Sequence, residues 1–171
     1  MTHRRPTSKE YGAYYANYIS KVKDDNILQA LKKGKSVAVN FLQKIPKSKW
    51  EHRYGSGKWT IKEVVVHLID TERVFAYRAM RIARGDKQAL HGFDQDAYVP
   101  NSNANARTPA SIIAGYRAVR EATIQLFKNL DDEALGRIGK ASEAPVSPRA
   151  AGFIIAGHEI HHMTIIRDRY L

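Results

Sequence analysis

Two histidines one helical turn apart, His158 and His162, are the side chains of this sequence best placed to bind a metal ion. The helical pattern around them has apolar residues at Ala151, Ile154, Ile155, Ile165 and Ile166. At about 100° per residue, both imidazoles point along the middle of that apolar face. An imidazole buried without a partner costs about 1–3 kcal/mol, so the pattern predicts that something inside the fold binds both rings.

A third histidine, His67, lies on or beside the inward face of another predicted helix. One histidine from one helix and a pair from another can place three imidazole nitrogens around a single cation. Three neutral ligands leave the charge of the ion intact and a coordination position open, as in catalytic sites that activate water or a thiol. We therefore predict that His67, His158 and His162 are metal ligands. The alternative is a non-catalytic bundle whose core histidines bond only to one another and to water, with dimerisation as its role.

The remaining histidines are weaker candidates. His161 competes with His162 as a ligand, but it lies at the edge of the apolar face. His3, His52 and His91 fall in predicted loops or tails, where an imidazole is usually solvated.

Three carboxylates close to the predicted ligands could orient an imidazole ring, although we expect all three to be solvated: Glu63, Asp70 and Glu159. The segment that follows Gly92 is also rich in hydrogen-bonding groups, including Asp94, Gln95 and Asp96, whose roles the sequence leaves open. A long segment over the open end of a helical bundle commonly forms a wall of a substrate site.

Four long segments with helical periodicity must position these residues. The first covers about residues 26–42 and offers for burial Ile27, Leu28, Leu31, Val37, Val39 and Leu42. The second begins at a Thr60–Glu63 capping box and ends before Gly85. The third and fourth each begin with a capping residue followed by proline, at Thr108 and Ser147, and run to about residues 130 and 170.

The connection between the second and third helices, about 22 residues long, exceeds the usual length in a compact domain. Crossover connections of this kind are a known variant of the four-helix bundle. No strand-like alternation is apparent, so we predict an all-α protein with one domain over residues 1–171. Residues 1–20 form a lead segment that packs on the bundle, and core packing is the expected role of its tyrosines Tyr11, Tyr14, Tyr15 and Tyr18.

The composition excludes several classes of site. The 171 residues include no cysteine, which excludes disulfide frameworks, thiolate zinc sites and cysteine nucleophiles. No apolar run approaches the roughly 20 residues of a membrane span, and no apolar stretch follows the basic residues at the N-terminus. We therefore expect a cytoplasmic protein. No P-loop or dinucleotide fingerprint is present. Residues 158–162 read H-E-x-x-H, but the likeness to the metalloprotease motif is superficial, because the Glu of that motif acts as a general base and would need a different partner geometry.

The net charge of +11 is concentrated in residues 1–50, where 11 Lys and Arg face 3 Asp and Glu. Such a basic half is compatible with a binding module that contacts nucleic acid or another polyanion. A solvated basic face is the favoured interpretation, because no recognition helix or RNA-binding fingerprint accompanies the charge.

Two motifs make this sequence resemble the DinB-like superfamily. Lys58–Arg73, which contains His67, is similar to the second-helix motif of that family, and Ile155–His162 matches its terminal motif. Gly92–Asp96 resembles one branch of the family, and the likeness extends from about Tyr18 to Leu171.

The resemblance implies a four-helix bundle with a long crossover between helices 2 and 3, in up-down-down-up order. It places the metal triad of the family on His67, His158 and His162, with nickel, zinc or iron as the divalent ion. It also implies a homodimer and a small-molecule substrate, since characterised relatives include metal-dependent transferases that use low-molecular-weight thiols. We therefore expect a metal-dependent transferase or hydrolase. The alternative is the non-catalytic basic module, with nucleic acid the less favoured partner and no membrane contact.

Overall fold

Four long helices carry most of the hydrophobic core in the computed structural model, which describes residues 4–171. They are α2 (Ile27–Lys44), α3 (Ile61–Ala83), α5 (Pro109–Lys128) and α7 (Pro148–Arg169). Three short helices fill the connections: α1 (Ala16–Lys21), α4 (Gln95–Asn101) and α6 (Asp132–Gly136). The boundaries of the four long helices agree with the sequence prediction to within about two residues.

An antiparallel hairpin of β1 (Gly139–Ala141) and β2 (Ala144–Val146) lies between α6 and α7. The fold is mostly helical, as predicted, and this small hairpin is an addition that the sequence analysis did not identify. Strands of three residues are too short to show an alternating pattern, and their turn depends on Ser142 and Glu143, which both have positive φ. The hairpin is held to the crossover segment because Leu90 pairs with Ala141.

The helix ends follow from local sequence. The hydroxyl of Thr60 accepts a hydrogen bond from the backbone N–H of Glu63, whose carboxylate accepts one from the N–H of Thr60, so the predicted capping box is confirmed. Thr108 and Ser147 cap α5 and α7 ahead of a proline at the first helical position. Gly85, at φ 83°, follows the end of α3 in the left-handed conformation that favours glycine.

The long crossover makes α3 and α5 parallel neighbours. Near the start of both helices, Thr60 is hydrogen-bonded to Asn105 at 2.8 Å, and farther along both of them Glu72 is ion-paired with Arg120. α2 packs against α5 and α7 but not against α3 to any comparable extent.

α3 and α7 are antiparallel. The imidazole of His67 contacts that of His158, while the hydroxyl of Tyr170 donates to the carbonyl oxygen of Trp59 at 2.7 Å. α2 runs parallel to α7, since Ile27 packs at Gly152 and Gly34 faces Glu159 about two turns later in each helix. The order is therefore up-down-down-up, which confirms the four-helix bundle with a long crossover.

The interior of the bundle contains two apolar clusters with a polar layer between them. One cluster includes Phe75, Phe127 and Phe153, and the other includes Trp50 and Ile166. Each of three helices contributes polar side chains at the level between the clusters: His67, Thr71 and Glu72 from α3, Arg120 and Thr123 from α5, and His158 and Glu159 from α7. At the same level α2 contributes Gly34, where a Cβ would collide with the carboxylate of Glu159. This polar layer therefore contains the candidate functional side chains.

The lead segment packs across this layer, but its tyrosines are not all in the core. Tyr14 is 73% exposed, so its expected core role was wrong, whereas Tyr15 packs edge-on against Phe75 with 5.5 Å between ring centroids. Val37 of α2 is also largely exposed, contrary to expectation. His3 lies outside the described residues, and the prediction of one domain over residues 1–171 stays a prediction.

A buried carboxylate anchors the lead segment to the beginning of α7. Glu10 accepts hydrogen bonds from the backbone N–H of Thr7 at 2.9 Å, from the hydroxyl of Ser147 at 2.8 Å and from the guanidinium of Arg149 at 3.0 Å. Burial raises the pKa of Glu10, but these hydrogen bonds and the charge of Arg149 outweigh it and lower the pKa below its ordinary 4.5.

We expect Glu10→Gln to lower the free energy of unfolding by about 1–3 kcal/mol at pH 7. Because the pKa of Glu10 is depressed in the folded state, its contribution is present above pH 4.5 and is lost as the pH falls through the folded pKa. Urea unfolding at a series of pH values should therefore show the difference shrinking below pH 4.5. Glu133→Gln, which alters an exposed i,i+4 pair with Arg137, is the matched control and should change stability little. A difference for Glu10→Gln that is independent of pH would contradict this assignment.

Candidate metal centre

The three predicted ligands meet at the polar layer, at one point between α3 and α7. The Nε2 atom of His158 lies 3.1 Å from Nε2 of His67 and 3.0 Å from Nε2 of His162. The centroids of the three rings are 4.5–5.0 Å apart. His67 and His158 are buried and His162 is partly buried. Within the described chain, this is the one group of three or more histidines and carboxylates close enough to share an ion.

The two nitrogen separations at His158 fit a shared cation, and the ligand atoms of all three histidines lie within 4.8 Å of one another. Two imidazole nitrogens bound to one zinc ion at about 2.0–2.1 Å lie about 2.8–3.4 Å apart, for coordination angles between octahedral and tetrahedral. Hydrogen bonds among the three rings alone would satisfy these nitrogens less completely. Each neutral Nε2 either donates one hydrogen or accepts one, so His158 can bond well to only one of its two neighbours. A cation that accepts all three lone pairs satisfies the Nε2 atom of each ring.

The surroundings keep the three imidazoles neutral, which is the state that a metal ligand requires. Burial lowers the pKa of His67 to about 4. Burial, reinforced by the neighbouring His67, lowers the pKa of His162 to about 3. Burial also takes the pKa of His158 well below its usual range, with His162 and His67 adding to the effect.

Aromatic and polar neighbours hold the rings in place. The ring of Trp59 lies 4.9 Å from that of His67, whose Nδ1 is 3.4 Å from the hydroxyl of Thr71. The ring of Tyr18, on α1, packs edge-on against His158 with 5.2 Å between centroids. This approach depends on Gly157, because a Cβ there would overlap the backbone carbonyl of Tyr18.

A buried network of charged side chains lies next to the histidine cluster. The guanidinium of Arg120 donates to both carboxylate oxygens of Glu72, at 2.8 and 2.9 Å, and lies 2.8 Å from Glu159. The hydroxyl of Tyr116 also donates to Glu159. Arg120 is 1% exposed, so every partner of its charge comes from the protein.

Two of the three carboxylates named from the sequence were wrongly expected to be solvated. Glu159 is buried because it pairs with Arg120, and Glu63 is buried because it closes the capping box and also pairs with Arg53. Asp70 is partly exposed and pairs with Arg73 on the next turn. Among the described hydrogen bonds, none joins these carboxylates to a histidine of the cluster, so they do not set its tautomers directly.

A cavity of about 190 Å³ opens beside the cluster and reaches His158. Five aromatic side chains line it: Tyr14, Tyr15, Tyr18, Phe75 and Phe93. Thr71, Gln95 and Ser142 supply its polar groups. The crossover segment thus contributes Phe93 and Gln95 to the wall of this cavity. Asp94 instead caps α4 by accepting from the N–H groups of Asp96 and Ala97, and Asp96 is exposed.

The other described histidines lie outside the cluster. His161 packs its ring 5.0 Å from that of His162 and also contacts Tyr18, but its nitrogens do not join the group. His52 is exposed and contacts Tyr170, and His91 is exposed in the crossover segment.

Sequence reasoning missed Tyr18, Thr71, Glu72, Tyr116 and Arg120 as residues of the site. A signal existed for some of them. Thr71 lies one turn after His67 on the same face, and Tyr116 and Arg120 follow the inward spacing of α5. The position of Tyr18 depends on how α1 folds back onto α7, which no local pattern reveals.

Comparisons with known proteins support this fold. A family model described as the DinB superfamily matches residues 30–166. No curated protein matches the chain in sequence. No helix of residues 4–171 has the length and apolarity needed to cross a membrane.

Two solved structures share the fold. YfiT from Bacillus subtilis, described as a probable metal-dependent hydrolase with an unusual four-helix bundle topology, superposes with a TM-score of 0.75 and 19% identity. That match covers 83% of this chain and 82% of YfiT. A mycothiol-dependent maleylpyruvate isomerase superposes with a TM-score of 0.68 and 11% identity, over 81% of this chain and 58% of the isomerase.

The charge network predicts a large effect for a substitution that removes no predicted metal ligand. We expect Arg120→Met to lower the free energy of unfolding by about 3–5 kcal/mol, because Glu72 and Glu159 then remain buried without a countercharge. Chemical denaturation followed by circular dichroism measures this difference. Arg117→Met, on the exposed face of the same helix, is the matched control and should change stability by less than about 0.5 kcal/mol. Equal effects of the two substitutions would show that the network does not stabilise the fold.

Proposed function

The chain belongs to the DinB superfamily, and on that premise we propose that it is a metal-dependent enzyme whose divalent cation is bound by His67, His158 and His162. The observation that carries the proposal is the convergence of the three Nε2 atoms, with 3.0 and 3.1 Å between neighbours. Neutral imidazoles, held in a buried layer and adjacent to a cavity, are the donor set of a catalytic rather than a structural site.

When bound, a divalent cation with three neutral ligands supplies Lewis acidity and lowers the pKa of a water or thiol at its open position. The protein provides the rest of the site. Burial keeps the imidazoles unprotonated, and Trp59 and Tyr18 restrict the rings of His67 and His158. The aromatic walls of the cavity limit the access of bulk water to a substrate beside His158.

The reaction we propose is hydrolysis or group transfer on a small molecule, with a low-molecular-weight thiol as the candidate co-substrate. Two descriptions of structural neighbours support this range: YfiT is described as a probable metal-dependent hydrolase, and the isomerase as mycothiol-dependent. The homodimer and the cytoplasmic location implied earlier stay predictions.

The basic binding module is the less favoured function. Two lysines of the basic half are paired with carboxylates: Lys33 with Asp24 at 3.6 Å and Lys35 with Glu121 at 2.5 Å. Neither pair lies at the histidine cluster, and binding of a polyanion would not require three converging imidazoles. Binding to a polyanion would weaken steeply with salt, so a flat salt response would reject it.

Metal content tests the proposal. We expect untagged wild-type protein, after reconstitution, to hold about one divalent ion per chain, and His67→Ala and His162→Ala to lose it. Elemental analysis should cover nickel, zinc and iron, because imidazole nitrogen suits all three. His52→Ala and His161→Ala are the matched controls, since they remove histidines outside the cluster and should retain the metal.

Thermal melting with and without a chelator provides the second readout. Chelation should lower the melting temperature of the wild type and of both control variants, because an ion that binds only the folded state stabilises it. It should not change the melting of His67→Ala. Wild-type protein that binds no metal above background, or that binds it equally well without His67, would contradict the proposal.

A further inference from the structure

Arg78 is a buried cation for which the described part of the chain supplies no acidic partner. Its residue is 2% exposed, yet none of the ion pairs among residues 4–171 includes it. One terminal nitrogen donates to the backbone carbonyl of His91 at 2.8 Å and to the hydroxyl of Ser142 at 2.9 Å. Both partners are neutral, so they satisfy hydrogens without balancing the charge. Arg120 and Arg149, the other fully buried guanidiniums, each bind a carboxylate.

Aromatic rings take the place of a countercharge. The guanidinium carbon of Arg78 lies 5.1 Å from the centroid of Phe75 and 5.9 Å from that of Phe93. Cation–π contacts stabilise a buried guanidinium without neutralising it. The positive potential of Arg78 therefore remains available to an anion that enters from outside.

The residues around Arg78 also line the cavity beside the cluster. Phe75, Phe93 and Ser142 each contact the guanidinium and each face the cavity that reaches His158. Arg78 itself lines a neighbouring cavity, which shares Phe93 with this one, so its charge reaches the cavity beside the cluster through Ser142. Arg78 follows Thr71 by two turns on α3, which separates this end of the cavity from the histidines. At one end of the cavity, the hydroxyl of Ser142 is bonded to the guanidinium of Arg78. The rings of Phe75 and Phe93 line the middle, and the proposed metal lies at the other end.

We propose that this cavity selects substrates in which a carboxylate is attached to an aromatic or similarly apolar group. The carboxylate binds at the Ser142 end, where Arg78 attracts it, and the apolar part packs against the rings of Phe75 and Phe93. The claim that such a molecule is the substrate rests on the proposed function. The claim that it binds rests only on the cavity and Arg78.

Phenylacetate and phenylacetamide are suitable probes, because they have nearly the same shape and differ in charge. The titrations are made first on chelated wild-type protein, so that a metal cannot bind the carboxylate. We expect phenylacetate to bind at least about tenfold more tightly than the amide, as a charge-assisted hydrogen bond allows. Calorimetry or ligand-observed NMR gives both dissociation constants.

Substitutions assign the preference to one side chain. Arg78→Gln should weaken phenylacetate binding about tenfold and leave phenylacetamide binding unchanged, and Arg78→Lys should restore most of the preference. Arg81→Gln is the matched control: Arg81 lies one turn farther along α3, pairs with Asp86 and should not affect either probe.

Equal affinities of chelated wild-type protein for the two probes, or no binding of either, would overturn the inference, and neither result requires a variant to fold. A preference that survives Arg78→Gln would overturn the role of Arg78. Failure of the metal proposal is separate, because it appears as absence of bound metal in a protein that still discriminates between the probes.

Discussion

The ion pairs of Arg120 fix the level at which the helices of this bundle meet. One guanidinium on α5 binds Glu72 on α3 and Glu159 on α7, with Tyr116 completing the network. Sliding any of these helices by one turn would leave a charge buried without a partner, at a cost of several kcal/mol. Two apolar clusters alone would tolerate such shifts more easily, because burial of apolar surface is non-directional. The network therefore specifies the register.

The register in turn positions the histidines. Glu72 follows His67 by just over one turn, and Glu159 is the neighbour of His158, so fixing the carboxylates also fixes where the imidazoles meet. Gly34 on α2 leaves the space that Glu159 and Arg120 occupy, and Gly157 allows α1 to bring Tyr18 onto His158. The polar layer thus has two sides. The histidines of the candidate site lie on the side next to the cavity, and the charge network lies on the side toward the core. Stability and the proposed chemistry share the same layer.

Much of this arrangement was predictable from the sequence, because the informative signals are local. Capping residues at Thr60 and Ser147 set where α3 and α7 begin, and helical phase turned His158 and His162 inward. The predictions failed where a residue's environment depends on another helix. Glu159 was expected in solvent because nothing near it in sequence reveals Arg120, and the fit of Tyr18 to His158 depends on a chain reversal that no periodicity encodes. The hairpin before α7 was missed because three-residue strands leave no pattern.

The most direct test of the account is a crystal structure of the protein soaked with zinc, with data collected on both sides of the zinc absorption edge. We expect a single anomalous peak between α3 and α7, about 2.0–2.1 Å from the Nε2 atoms of His67, His158 and His162. A peak at His52, His91 or His161 instead, or three imidazoles that stay in mutual contact with no ion between them, would contradict it.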